Sequence, residues 1–308
     1  MPLANLDMSR SGPVVLEAVP PELAEGEAGV VRVLEKIRAV HERVPVDLVN
    51  IPEIHEESSK SDQGERRKPF TPRMAPRDLA LRVREGLGLE SMINRVVVHM
   101  EARRQADWFR ETYERYGVRR FVLVGGERSD VSYPGPSVGE ANELIRETLD
   151  VPDLVVGNIC IPGRRGEARR MARKMAAGAD LFTTQILYHA DEFTGLLDDL
   201  REQPRPERAP LLLVSVCPVR SAQGIRFLHW LGVSLSPDLE SRLTAPGEPV
   251  LERSVAHIET MWRQVVRHAT LTRTPFPLGI SLAPIGPIPA EVTAGLGRRL
   301  STQVCAVA

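Results

Sequence analysis

The sequence predicts a single (β/α)8 barrel. Three observations carry that expectation. Short apolar runs alternate with segments of helical period about eight times along the chain, and such alternation calls for a parallel sheet covered by helices. The length, 308 residues, suits one closed barrel of such units. No strand-to-helix junction carries GxGxxG or GxxxxGK[ST], which sets the doubly wound sheet second.

The elements follow in order. Residues 14–19 (VVLEAV) are an apolar run closed by Pro20 and Pro21, a buried first strand. Glu17 interrupts it, and a carboxylate there is costly unless paired or protonated. Residues 27–43 place Val30, Val33, Leu34, Ile37 and Val40 at helical spacing, and 46–51 (VDLVNI) is the second strand. Residues 52–75 form a long polar loop, either a lid over the site or a disordered insert. A helix over 77–86, a strand over 95–100 (RVVVHM), and a helix over 105–116 stopped by Gly117 come next. Strand 121–124 precedes a helix over 138–149, for which Ser137 is the cap. Strand 154–159, helix 167–177, strand 180–186, helix 191–201 and strand 211–216 continue the alternation. Helical patterns over 220–231, 237–243 and 249–272, a strand over 277–281 and a helix over 290–300 complete it.

Composition narrows the function. A formal net charge of -1 gives no electrostatic reason to bind nucleic acid. The longest apolar stretch, 211–219, is too short to span a bilayer, and no secretory pattern is visible, so a cytoplasmic protein is expected. Cys160, Cys217 and Cys305 have no ligand-like spacing, and no metal is expected. Serine-triad chemistry lacks a GxSxG elbow, and a Schiff-base enzyme lacks a strand-end Lys. Low aromatic content argues against a sugar cleft for paired acids such as Glu17 and Glu127.

Active sites of such barrels lie at the C-terminal strand ends. There the chain places Glu17, Asn50, Glu53, His99, Glu101, Glu127, Asn158, Cys160, Gln185, Ser215 and Cys217. The segment 161–174 (IPGRRGEARRMARK) adds Arg164, Arg165, Arg173 and Lys174 around a helix start suited to anions.

With those residues in view, the chain resembles the methylenetetrahydrofolate reductase family, whose members are (β/α)8 barrels. VVLEAVPP (14–21) is similar to the family's first-strand Phe-Glu-Phe-Phe-Pro-Pro run, and ADLFTTQILYHADEF (179–193) to its Gly-Ala…Thr-Gln-aromatic segment. VRRFVLVGGE (118–127) resembles the fourth-strand segment ending in Arg-Gly-Asp, and VSVCPV (214–219) the Ile-Leu-Pro-Val run of strand seven. The resemblance implies reduction of 5,10-methylenetetrahydrofolate to 5-methyltetrahydrofolate. It implies Glu17 as the acid, Glu127 in place of the family's pterin-binding Asp, and Gln185 and His99 as folate contacts, to which Asn158 and Tyr188 are added as candidates. Asn50, Glu53, Arg164, Arg165, Arg173 and Lys174 are the candidate cofactor contacts.

The flavin-contact segments depart from the family: Arg-Gly-Asp becomes GGE (125–127), Thr-Tyr-Gly becomes IPE (51–53), and Pro-Glu-x-His-Pro becomes IPGRR (161–165). The resemblance is therefore to a divergent, flavin-independent branch in which NADH or NADPH gives hydride directly. The alternatives are an FAD-dependent member and a non-catalytic folate- or nucleotide-binding barrel acting as a partner subunit.

Overall fold

The computed structural model describes residues 12–126, 131–204 and 206–303. Its sheet is a closed, all-parallel barrel with strands in chain order. The strands are β1 (Val14–Glu17), β2 (Leu48–Pro52), β3 (Ser91–Val96), β4 (Arg120–Val124), β5 (Val155–Cys160), β6 (Leu181–Thr184), β7 (Leu211–Val216) and β8 (Leu278–Leu282). The helices are α1 (Gly26–His41), α2 (Pro76–Leu87), α3 (Ala102–Tyr116), α4 (Val138–Thr148), α5 (Glu167–Ala176) and α6 (Ala190–Arg201). After β7 come three in succession, α7 (Ala222–Trp230), α8 (Pro237–Thr244) and α9 (Val250–Thr272), and α10 (Ala290–Ser301) follows β8. The expected barrel is therefore the observed one.

Period-two alternation sorts the strand residues into two layers. Val15, Leu48, Met92, Val122, Val155, Leu181, Leu211 and Leu213 form a separate apolar cluster, the plug inside the barrel. β8 adds no side chain there because Gly279 approaches Leu213 so closely that a Cβ would lie 2.8 Å from it. Alternate residues such as Leu16, Ile51, Phe121, Val156 and Ile280 face outward into the larger core under the helices. Further along the strands, the same period puts polar residues on the inner face: Glu17, Asn50, Asn94, Thr183, Ser215 and Ser281. Thr183 and Ser215 hydroxyls meet at 3.2 Å.

Local signals account for several boundaries. The Ser137 hydroxyl accepts from the Glu140 N–H and the Glu140 carboxylate from the Ser137 N–H, a reciprocal cap on α4. Gly117 takes a left-handed conformation (φ 65°) and ends α3. β3 differs from expectation by four residues, starting at Ser91 instead of 95. Its polar residues concealed it. Arg95 turns outward, is nearly fully buried, and is held by Glu53, by Gln105 at 3.2 Å and by the Trp108 ring at 4.3 Å.

Candidate active site at the barrel mouth

β1 and β2 run in register with Glu17 opposite Asn50, both on the inner face. Their side chains therefore stand side by side, and Asn50 Nδ2 donates to Glu17 Oε2 at 3.3 Å. Burial raises the Glu17 carboxyl strongly and the Asn50 hydrogen bond lowers it less, leaving it pushed up to about 7. The carboxyl is thus divided between its protonated and ionised forms near neutral pH. Two buried acceptors on the same inner face, Asn50 Oδ1 and Asn94 Oδ1, have no protein partner among the described residues.

Glu17 opens into a cavity of about 1030 Å³ at the C-terminal end of the barrel. Its walls come from the ends of β1 and β2, from α1 and α7, from the turns after β7 and β8, and from the segment between β2 and α2. That segment, residues 53–75, has little regular structure yet is fixed across the mouth. The Lys60 N–H donates to the Trp230 carbonyl at 3.0 Å and the Glu65 N–H to the Arg226 carbonyl at 3.1 Å. At its far end, the Met74 N–H donates to the Pro21 carbonyl, and Arg73 pairs with Glu22 and donates to the Pro20 carbonyl. Gly64 makes the crossing possible, because a Cβ there would lie 2.5 Å from the Trp230 backbone. The long loop is thus an ordered strap over the site.

The other expected site residues fall into three groups. Gln185 stays at this rim: its Nε2 donates at 3.1 Å to the carbonyl of Leu231, a residue of the cavity wall. Glu53 follows β2 but faces its own chain, bonding Arg95 and the Val96 N–H at 2.9 Å. Burial would raise its carboxyl, yet His55, Arg95 and the Val96 N–H together hold it below the ordinary range. His99 lies beyond β3 in an exposed turn, its ring 5.2 Å from His55 and 5.4 Å from Tyr133.

The remaining candidates are turned away from the mouth. Asn158 is one residue out of phase with the inner Val155, so it faces the helices and exchanges hydrogen bonds with Asn142 of α4 at 2.9 and 3.0 Å. Cys160 shares that outward phase. Tyr188 is buried behind the barrel wall, stacked 5.9 Å from His257 with its hydroxyl bonded to the Cys217 carbonyl. Arg164 is bound by Glu167 at 2.6 Å, and Glu167 also takes the Ile161 N–H, so this carboxylate closes the expected anion site from within. Arg165 and Arg173 are exposed, and Lys174 donates to the Ile159 carbonyl at 2.7 Å. Glu127 and Cys305 lie outside the described residues.

Sequence reasoning missed several cavity residues. Lys36 lies on the apolar stripe of α1, three residues after Val33 and four before Val40, and that spacing was a usable signal. Asn94, on the barrel's inner face but outside the cavity wall, was hidden by the misplaced third strand. His55 lines the cavity, and the neighbouring Glu53 carboxylate raises its imidazole above its ordinary value. Trp230 and Phe227, stacked at 5.5 Å, are brought in by the tertiary fold alone. Burial pushes the Cys160 and Cys217 thiols up to about 12, so neither is a nucleophile at neutral pH. Among the described residues no group of three or more His, Cys, Asp and Glu side chains could hold a metal, and no helix is long and apolar enough to cross a membrane.

No family model matches the chain, and no curated protein matches it. Among solved structures it is similar to an uncharacterized protein from Clostridium thermocellum that binds two copies of 5-methyl-5,6,7,8-tetrahydrofolic acid. That likeness has a TM-score of 0.74 at 18% identity, over 98% of this chain and 99% of the other. A thermostable mutant of a xylanase from Cellvibrio japonicus is more distant, with a TM-score of 0.53 at 10% identity over 89% and 86% of the two chains. At these identities the likenesses show the barrel fold.

Proposed function

We propose that this barrel reduces 5,10-methylenetetrahydrofolate to 5-methyltetrahydrofolate, taking hydride directly from NADH or NADPH. The observation that carries the reading is Glu17: a carboxyl titrating at about 7 on the inner face of a roomy, strap-covered mouth. General acid catalysis at neutral pH needs such a group. The full-length structural likeness to a barrel that binds 5-methyltetrahydrofolate, the product of this reaction, supports the substrate class.

In the proposed reaction the Glu17 proton passes to N10 as the methylene–N10 bond breaks. The electron pair of N5 forms a methylene iminium. Hydride from the nicotinamide then adds to the methylene carbon and gives the N5-methyl group and the oxidised dinucleotide. Glu17 is left as carboxylate, steadied by Asn50, and regains a proton from solvent. Asn50 Oδ1 and Asn94 Oδ1 offer acceptors to ligand N–H groups. A route without flavin is supported by two segments that differ from the flavin-contact motifs of the family the sequence resembles, where Glu53 is engaged by Arg95 and Arg164 by Glu167.

The test is anaerobic incubation of the purified protein with methylenetetrahydrofolate and NADH or NADPH, with the product identified by mass spectrometry. Stoichiometric 5-methyltetrahydrofolate from protein without flavin absorbance is expected. Reduced folate binding with no reduction by either dinucleotide would leave a binding barrel instead.

A further inference from the structure

The mouth cavity carries a charge imbalance that reduction at a pterin does not require. Two of its cations are neutralised within the chain: Arg32 pairs with Glu25 at 2.6 Å and Arg73 with Glu22 at 3.7 Å. Arg66, Arg67, Lys68, Arg220 and Lys36 also line the cavity and have no carboxylate partner among the described residues. The wall carboxylates do not balance them, since Glu22 is already taken by Arg73. Glu57 pairs with Lys60 at 3.3 Å, which leaves Glu17 as the one wall acid set against five cations among the described residues.

Three of these cations are placed rather than dangling, Arg220 among them through a hydrogen bond to the Pro287 carbonyl at 3.0 Å. Arg66 lies over the rings of Trp230 and Phe70, 5.1 and 5.8 Å from their centroids, which fixes the strap's basic run against the cavity edge. Lys36 is half-buried on the apolar stripe of α1, and among the described residues its ammonium reaches only the Pro284 carbonyl at 3.5 Å. A partly desolvated ammonium without a counter-charge is unfavourable unless a ligand supplies one.

We propose that this cationic wall is a subsite for a run of two or more negative charges carried by a ligand seated in the mouth. Two ligands have that chemistry, the diphosphate of a nicotinamide dinucleotide and the successive carboxylates of an oligoglutamyl folate tail. The identity of those ligands rests on the function proposed above; the subsite itself rests on the charge arrangement.

The experiment therefore begins with probes that need no folate. Inorganic pyrophosphate and tri-γ-glutamate are titrated against the full chain while tryptophan emission is followed, because Trp230 lies beneath Arg66. Saturable, salt-sensitive binding is expected, weakened about tenfold in Arg67→Ala/Lys68→Ala, since each exposed ion contact is worth roughly two- to fivefold. Both side chains are exposed, so the double variant should keep its fold, checked by circular dichroism.

Dissociation constants are then measured for NADH and for mono- and pentaglutamyl 5-methyltetrahydrofolate. A selective loss of NADH affinity in the variant assigns the subsite to the diphosphate. Collapse of the penta-to-mono affinity ratio assigns it to the tail. Either result supports the subsite. Failure of folate to bind while pyrophosphate or triglutamate still does would overturn the proposed function but not this subsite. No binding of either probe, or variant affinities within twofold for every ligand, would overturn the subsite even if reduction is observed.

Discussion

Replacing Glu17 by Gln should stabilise the protein while disabling it, and the size of the effect follows from the site. The carboxyl titrates at about 7 in the folded chain against an ordinary value of 4.5. A raised carboxyl binds its proton more tightly when folded, so its contribution is complete below the ordinary value and is lost as pH rises through about 7. A shift of that size corresponds to at most about 3 kcal/mol between the two limits. Gln retains an oxygen to accept from Asn50 and has no charge to desolvate. Thermal unfolding of both proteins should therefore show a small gap near about pH 5 that widens to roughly 5 °C near about pH 8.5, the variant being the more stable. The difference between the proteins cancels other titrations, His55 among them. A gap that is constant across this range, or that narrows with rising pH, would refute the buried, proton-bearing Glu17.

Two further perturbations probe the frame around the site. Glu53→Ala leaves the buried Arg95 guanidinium without its counter-charge and should cost roughly 3–5 kcal/mol in urea unfolding; because the Glu53 carboxyl is held low, its contribution is present above 4.5 and is lost as pH falls through its folded value, so the wild type should lose this advantage in acid. Equal stability of the two proteins at neutral pH would count against the pair. Gly64→Ala places a methyl group 2.5 Å from the Trp230 backbone and should lift the strap without unfolding the barrel. Faster proteolytic cleavage confined to 53–75 is the expected readout, and unchanged cleavage would contradict the tight crossing.

Much of this fold was legible because its rule is local. Runs such as LLLVSV (Leu211–Val216) and caps such as Ser137 announce themselves without knowledge of their neighbours. Glu17 was legible for the same reason: a lone acid in an apolar strand is anomalous wherever the strand lies. β3 was misread because the polarity of Arg95 is resolved by Glu53, Gln105 and Trp108, contacts that a run of residues does not display. Asn158 shows a different limit. Being near a strand end did not settle its face, and a one-residue phase difference sent it to Asn142 instead of the mouth. The order of the strap was also hidden, since it depends on Arg226 and Trp230, more than 150 residues away along the chain.

The most direct test of the central claim is the pH dependence of single-turnover hydride transfer from NADH to 5,10-methylenetetrahydrofolate, compared between wild type and Glu17→Gln. An acid that must carry a proton predicts a wild-type rate that falls as pH rises through about 7. It also predicts a loss of at least about 100-fold in the variant, with 5-methyltetrahydrofolate still bound. A wild-type rate indifferent to pH across that range, or a Gln variant that transfers hydride as fast as the wild type, would contradict it.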